Sequence, residues 1–130
     1  MEWHIRADLP IYAQLIFQIK LAIVSGEYLP GERLASVREL AMDAGVNPNT
    51  MQRALAELER DGLVFSQRTA GRFVTEDKTM IDAAKLGLAE SHIKTFLLAM
   101  TRLGYRREEI LDLLRQETSK EGSTDGSFGM

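Results

Sequence analysis

Two short helical patterns joined by a turn of three residues constrain the fold most tightly. Ser36 stands three residues before Glu39, the spacing of a capping box that satisfies free backbone donors at a helix start, so a helix is predicted over about Val37–Asp43. Asn47-Pro48 then supplies an N-cap residue and a proline at the first helical position of a helix that ends at Gly62. Helices joined by a short turn containing Gly are typical of a helix-turn-helix.

The flanking segments extend this motif on both sides. Apolar residues recur at helical spacing over Pro10–Ser25, which predicts a first helix. Leu63–Ser66 and Arg72–Thr75 have the pattern of two strands around the turn Gln67–Gly71. The chain is therefore expected to be mainly α with a small β-hairpin, as a winged helix-turn-helix over residues 1–76.

Two further helices are predicted after the hairpin, over about Thr79–Leu103 and Arg107–Glu117. They should form a helical hairpin within residues 77–118, and the tail 119–130, with three Gly and three Ser, is expected to be disordered. The apolar arc of the longer helix is wider than one packing contact needs, which indicates a homodimer through this region. The expected interface residues are Ile81, Leu88, Ile93, Phe96, Leu97 and Met100.

Composition excludes several classes of protein. The chain has 16 Lys+Arg against 19 Asp+Glu and a net charge of -3, so a polyanion could be bound only locally. It has no Cys, which excludes disulfides and thiolate chemistry. The longest apolar run, Phe96–Met100, is far shorter than the ~20 residues of a membrane-spanning helix. No secretory signal is recognisable at the start, and we expect a cytoplasmic protein without a membrane partner.

The residues around the helix-turn-helix have the chemistry of a DNA-binding surface. Arg33 and Arg38 flank the start of the second helix, and the first turns of the third carry uncharged hydrogen-bonding side chains, whereas its acidic residues lie at the far end. In this motif the N-terminal residues of the second motif helix meet base edges in the major groove. A double-stranded DNA operator is therefore the expected partner.

Short motifs follow one another in a fixed order over residues 10–75. In that order they closely resemble the GntR family of bacterial transcription regulators, and the short two-helix segment 76–130 resembles its YtrA subfamily. We expect a repressor, and the twofold symmetry of the expected dimer predicts a pseudo-palindromic operator. The resemblance to the YtrA subfamily implies that the operator belongs to a transporter operon. The motifs are Pro10-Ile11-Tyr12, Pro30-Gly31-Glu32-Arg33-Leu34, Ser36-Val37-Arg38-Glu39-Leu40-Ala41, Val46-Asn47-Pro48-Asn49-Thr50 and Leu58-Glu59-Arg60-Asp61-Gly62-Leu63-Val64.

The resemblance also implies which residues touch DNA. The second helix, the recognition helix and the wing would each contribute, with the wing in or beside the minor groove. The wing departs from the usual Gly-x-Gly pattern, because Thr69-Ala70 precedes Gly71. The expected DNA-binding residues are Arg33, Ser36, Arg38, Asn47, Asn49, Thr50, Gln52, Arg53, Arg68, Gly71 and Arg72.

Simpler roles compete with several of these. Asn47 is expected to cap its helix, Arg53 could instead pair with Glu57 four residues later, and Arg68 and Arg72 could only keep the hairpin soluble. The alternative function is a protein-interaction module in which the winged helix is only a scaffold. A third possibility adds a small-molecule effector between the helical hairpin and the winged domain.

Catalytic and metal chemistry have little support in the sequence. The two His, His4 and His92, have no second ligand at a spacing typical of zinc sites. No phosphate-binding loop, nucleophile elbow or dinucleotide fingerprint is present. We therefore expect neither an enzyme nor a cofactor.

Overall fold

The computed structural model describes residues 1–122 and contains five helices and one hairpin in that range. Its elements follow the order α1 Ile11–Val24, α2 Val37–Ala44, α3 Pro48–Arg60, β1 Val64–Gln67, β2 Gly71–Val74, α4 Lys78–Arg102 and α5 Arg107–Gly122. The predicted fold class is confirmed. Helix α5 continues beyond the predicted end at Glu117, where Lys120 pairs with Glu117 over one turn of helix. Residues 119–122 are thus helical, and the rest of the expected disordered tail lies outside the described residues.

The chain divides into two compact units, 1–88 and 89 onward. This division falls within α4, whereas the sequence placed a domain boundary at residues 76/77. The reason is that Ile81 and Ala84, in the first turns of α4, pack against the core of the winged domain. That core is made of buried apolar residues from α1, α2, α3 and the base of the hairpin, among them Leu15, Ile19, Leu40, Met51, Leu55, Leu58, Leu63, Val64 and Val74.

The wing has a third strand-like segment that the sequence pattern did not reveal. β1 and β2 pair antiparallel, with Phe65 opposite Phe73 and Gln67 opposite Gly71. The amide of Leu34 donates to the carbonyl of Arg72 at 2.9 Å, and the amide of Val74 donates to the carbonyl of Glu32 at 2.9 Å. The chain before α2 therefore covers the outer edge of β2 and fixes the wing to the start of the helix-turn-helix.

The N-terminal arm lies along α1 and is held by two glutamines. The side-chain amide of Gln18 bonds the backbone N–H and C=O of His4 at 3.0 and 2.9 Å, and Gln14 does the same for Arg6 at 2.8 and 2.8 Å. The two glutamines are one turn of α1 apart, and the two arm residues that they bind are two positions apart in the sequence. Two residues of an extended chain span about the same length as one helical turn, so the spacing of the arm fits that of the helix. Trp3 and Ile5 of the arm pack against the core.

The predicted capping box at the start of α2 is confirmed and gives a test of stability. The amide of Glu39 donates to Ser36 Oγ at 3.1 Å, and the amide of Ser36 donates to Glu39 Oε1 at 3.2 Å. The Ser36 amide, with the Ser36 hydroxyl as a second donor, lowers the pKa of the Glu39 carboxyl below its ordinary value. Ser36→Ala should lower the free energy of unfolding by about 1 kcal/mol at neutral pH.

The pH dependence of this difference follows from the direction of the pKa shift. A carboxyl group whose pKa is lower in the folded state stabilises the fold at pH values above its pKa in the unfolded state, about 4.3. This stabilisation is lost as the pH falls from about 4.3 through the pKa of the folded state. Ser36→Ala keeps the backbone amide and removes only the hydroxyl, so the difference in free energy of unfolding between wild type and Ser36→Ala should narrow below about pH 4.3 by the share that the hydroxyl contributes. Denaturant unfolding at pH 7 and at acid pH measures it. Ser91→Ala, an exposed position within α4, is the matched control, and an equal gap at both pH values would contradict the coupling.

Candidate nucleic-acid interface

The outer face of α3 carries three exposed hydrogen-bonding side chains. The inner face of this helix is buried, with Met51, Ala54, Leu55 and Leu58 in the core. Asn49, Gln52 and Arg53 are exposed and stand three and four residues apart, so they share the opposite face. Thr50 is half-buried beside them. Amide and guanidinium groups can each make paired hydrogen bonds with base edges, which suits this face to a major groove.

The first turn of α3 is built as expected from its cap. Asn47 Oδ1 accepts the amide of Asn49 at 2.7 Å, and Pro48 occupies the first helical position. The capping role predicted for Asn47 is therefore confirmed. Because a helix N-terminus carries free amides and a partial positive charge, this turn is also suited to a phosphate.

Arg53 takes a partner that the sequence did not suggest. Its guanidinium carbon lies 4.7 Å from the ring centroid of Tyr12, at the start of α1. The competing interpretation, an ion pair with Glu57, is wrong, since Glu57 pairs with Arg60. Among residues 1–122, no carboxylate lies within ion-pair distance of Arg53, so its charge is not neutralised.

A second group of predicted residues lines a polar groove between the wing and the start of α2, which we call the wing groove. The groove has a volume of about 440 Å³. It brings together Arg33, Ser36, Arg68, Gly71 and Arg72. Gln67 and Thr69 also line it, and both were missed because uncharged residues in a turn carry no distinctive pattern. With exposed Arg33 and Arg68 at its walls, the groove can accept an anionic backbone.

Gly71 has a local structural role in this groove. Its φ of +108° is a conformation that other residues rarely adopt. A Cβ atom on Gly71 would also lie 3.0 Å from Arg33 Nε, so glycine lets the Arg33 side chain lie against the wing backbone. The turn before it closes with the amide of Ala70 donating to the carbonyl of Gln67 at 3.0 Å, without the earlier glycine of the usual pattern.

Arg72 is turned toward its own domain. Its Nε lies 3.3 Å from Glu59 Oε1, and only 19% of its side chain is exposed. Ser66 Oγ donates to the same carboxylate oxygen at 3.0 Å. Glu59 thus ties both strands of the wing to the end of α3, and this arrangement speaks against a DNA contact by Arg72. The ion pair also differs from the simpler role considered for Arg72, an exposed charge that only keeps the hairpin soluble.

Arg38 lies in the first turn of α2 and is exposed. Within residues 1–122, no acidic side chain lies within ion-pair distance of its guanidinium. Arg38 is therefore available to a ligand, as predicted, although the structure places it outside the residues that line the wing groove.

The residues expected at a dimer interface differ in their surroundings. Ile81 packs on the core of the winged domain, so it already has an intramolecular contact. Ile93, Phe96 and Leu97 instead line an open apolar cleft between α4 and α5, with a volume of about 560 Å³. Ile93 is 56% exposed, Leu88 and Met100 are half-buried, and no residue of α4 is fully buried.

Neither a metal site nor a membrane-spanning helix is found in the described residues. Within residues 1–122, no group of three or more His, Asp or Glu side chains is placed to hold a metal ion. No helix in that range combines the length and apolar character needed to cross a membrane.

Comparison with known proteins identifies the family. The model of the "Bacterial regulatory proteins, gntR family" matches residues 11–74, from the start of α1 to the end of the wing. The "HTH-type transcriptional repressor YtrA" of Bacillus subtilis is 33% identical over 112 residues, which are 85% of this chain and 86% of that protein. The chain belongs to the GntR family. The match to YtrA over nearly its whole length supports the YtrA-like subfamily, as the sequence predicted.

Two solved structures agree with this assignment. A "GntR family transcriptional regulator from Listeria monocytogenes" has a TM-score of 0.77 and 38% identity, covering 86% of this chain and 98% of that one. The DNA-binding domain of AraR, solved "in complex with operator ORX1", has a TM-score of 0.53 and 30% identity, covering 58% of this chain and 96% of that one. This GntR protein is thus a DNA-binding transcription regulator and not an enzyme.

Proposed function

We propose that this GntR regulator is a cytoplasmic dimeric repressor that reads a pseudo-palindromic operator with α3 and the wing of each subunit. The observation that carries the proposal is the outer face of α3, where Asn49, Gln52 and Arg53 are exposed and share one side of the helix. The AraR domain, which is similar in fold and was solved on an operator, supports the same use of this surface here.

Each subunit contributes two kinds of contact under this proposal. The α3 face supplies amide and guanidinium groups to base edges in the major groove. Arg33 and Arg68, in the wing groove, supply charge to the phosphate backbone, and Arg38, in the first turn of α2, contacts a base or the backbone. Base contacts select the operator, and phosphate contacts orient the domain on it.

The dimer part of the proposal rests on the unit from residue 89 onward. Ile93, Leu111 and Leu114 are 56%, 49% and 43% exposed, and all three line the apolar cleft between α4 and α5. A contiguous apolar surface of this kind is typical of an interaction site. Twofold symmetry would then place two half-sites about one helical turn of DNA apart, or a multiple of it.

Binding to DNA from immediately upstream of the protein's own gene tests the proposal. The affinity for this duplex should fall at least about 100-fold between 50 and 200 mM salt, because Arg33 and Arg68 of two subunits would make about four phosphate contacts, which together correspond to a loss of about that size. An unrelated duplex of the same length is the control and should bind more weakly at both salt concentrations. The footprint should show two related half-sites.

The same titration separates the alternatives. A protein-interaction module without specific DNA binding predicts equal, weak binding to both duplexes and to fragments covering the genome. An asymmetric footprint of one half-site would contradict the twofold dimer while leaving DNA binding intact. Loss of transcription when the bound operator overlaps a promoter, measured in a purified transcription assay, tests repression.

A further inference from the structure

We propose that Tyr12 is a positioning residue that holds Arg53 in the conformation in which it contacts a base of the operator. The guanidinium carbon of Arg53 lies 4.7 Å from the centre of the Tyr12 ring, within the range of a cation–π contact. This inference rests on the proposed contact of Arg53 with DNA, and it gives α1 a part in recognition.

The two residues differ in how firmly the fold holds them. Tyr12 is half-buried and packs against the core cluster of the winged domain, so its ring has a fixed place. Arg53 is exposed on the outer face of α3 and has a long side chain with many rotamers. A contact between a fixed ring and a mobile side chain restricts the mobile one.

Among residues 1–122, no carboxylate at ion-pair distance competes with the Tyr12 ring for the guanidinium of Arg53. Glu57, one turn after Arg53 on α3, is the acidic residue best spaced to take the guanidinium, and it pairs with Arg60. The contact is made by the guanidinium carbon over the ring face, and within the part of the chain that the structure describes the N–H donors of Arg53 have no hydrogen-bond acceptor. Arg53 therefore keeps its charge and its paired donors for a guanine edge.

If Arg53 is already ordered before DNA binds, the entropic cost of binding is smaller. The benefit appears only in a complex that uses a defined Arg53 geometry. A bidentate contact with a base requires such a geometry, whereas a general attraction to phosphates does not. Tyr12 should thus influence affinity for the operator more than affinity for unrelated DNA.

A double-mutant cycle tests this proposal. Tyr12→Leu should weaken binding about two- to fivefold, the range expected for an exposed cation–π contact. Tyr12→Phe keeps the ring and should bind like wild type. In the Arg53→Ala background, Tyr12→Leu should have no further effect. The probe is the duplex that the wild-type protein protects upstream of its own gene, or the genomic fragment it binds most tightly, and the readout is fluorescence anisotropy.

The controls separate positioning from folding and from the contact itself. The unrelated duplex should bind Tyr12→Leu as it binds wild type, and thermal unfolding shows whether each variant is folded at the assay temperature. Equal losses from Tyr12→Leu with and without Arg53, or no loss at all beside an impaired Arg53→Ala, would overturn the role of Tyr12. If Arg53→Ala itself binds like wild type, the proposed base contact of Arg53 fails and the role of Tyr12 fails with it.

Discussion

Replacing Leu97 with aspartate is expected to convert the protein to a monomer and to weaken operator binding about 100-fold or more. Leu97 lies on the stripe of α4 that lines the open apolar cleft. A carboxylate placed there would have to be desolvated in any dimer that covers the cleft, which is strongly unfavourable. The protein would then bind one half-site at a time, and the gain from linking two recognition helices would be lost.

Two further variants make this result specific. Ile93→Asp changes a side chain that is 56% exposed, so it should break the dimer with little effect on the packing of one subunit. Thr95→Asp adds the same charge on the side of α4 away from the cleft, on the stripe of Leu88, and should leave both mass and affinity unchanged because the proposed dimer covers the cleft. Light scattering gives the mass and circular dichroism the helix content. A dimer that survives both Ile93→Asp and Leu97→Asp would place the interface elsewhere.

Features that depend on neighbours in the sequence could be predicted from the sequence. The capping box of Ser36 and Glu39 and the Asn47-Pro48 start of α3 use residues two or three positions apart, and both are present. Helix bounds agree with prediction to within about two residues from α1 to α4, because Gly and Pro stop and start helices by their own backbone chemistry.

Features that depend on contacts between distant residues could not be predicted in this way. Tyr12 and Arg53 are far apart in sequence, and no spacing rule joins an aromatic residue on one helix to an arginine on another. The same holds for Glu59 and Arg72, whose ion pair turns an expected DNA contact toward the protein. The chemistry of an arginine shows what it can bind, but its partner depends on the packing of the whole domain.

The boundary of the DNA-binding domain shows the same limit. The sequence placed the boundary at residues 76/77, after the second predicted strand and before the long helical pattern. The packing of Ile81 and Ala84 on the core instead makes the first turns of α4 part of the winged domain. The apolar stripe of α4 thus serves the winged domain at its start, and its later residues supply the face proposed for the dimer.

Replacing Arg38 with alanine is expected to weaken operator binding by about 1 to 3 kcal/mol, if the free energy of a specific base contact is lost. Arg38 is exposed in the first turn of α2, and within residues 1–122 it has no acidic side chain at ion-pair distance. Removing it therefore leaves no buried partner unpaired, and the loss in affinity reports on the DNA contact alone. Thermal stability should stay within about 0.5 kcal/mol of wild type, as for most surface substitutions.

Arg60→Ala is the matched control for Arg38→Ala, because it removes the same charge from the far end of α3, where Arg60 pairs with Glu57. It should bind the operator like wild type. Arg38→Lys separates the two kinds of contact, since lysine keeps the charge but not the planar pair of donors. Recovery with lysine and a smaller salt slope for alanine would indicate a phosphate contact, whereas failure of lysine to recover affinity indicates a base contact. Wild-type affinity of Arg38→Ala would remove Arg38 from the interface.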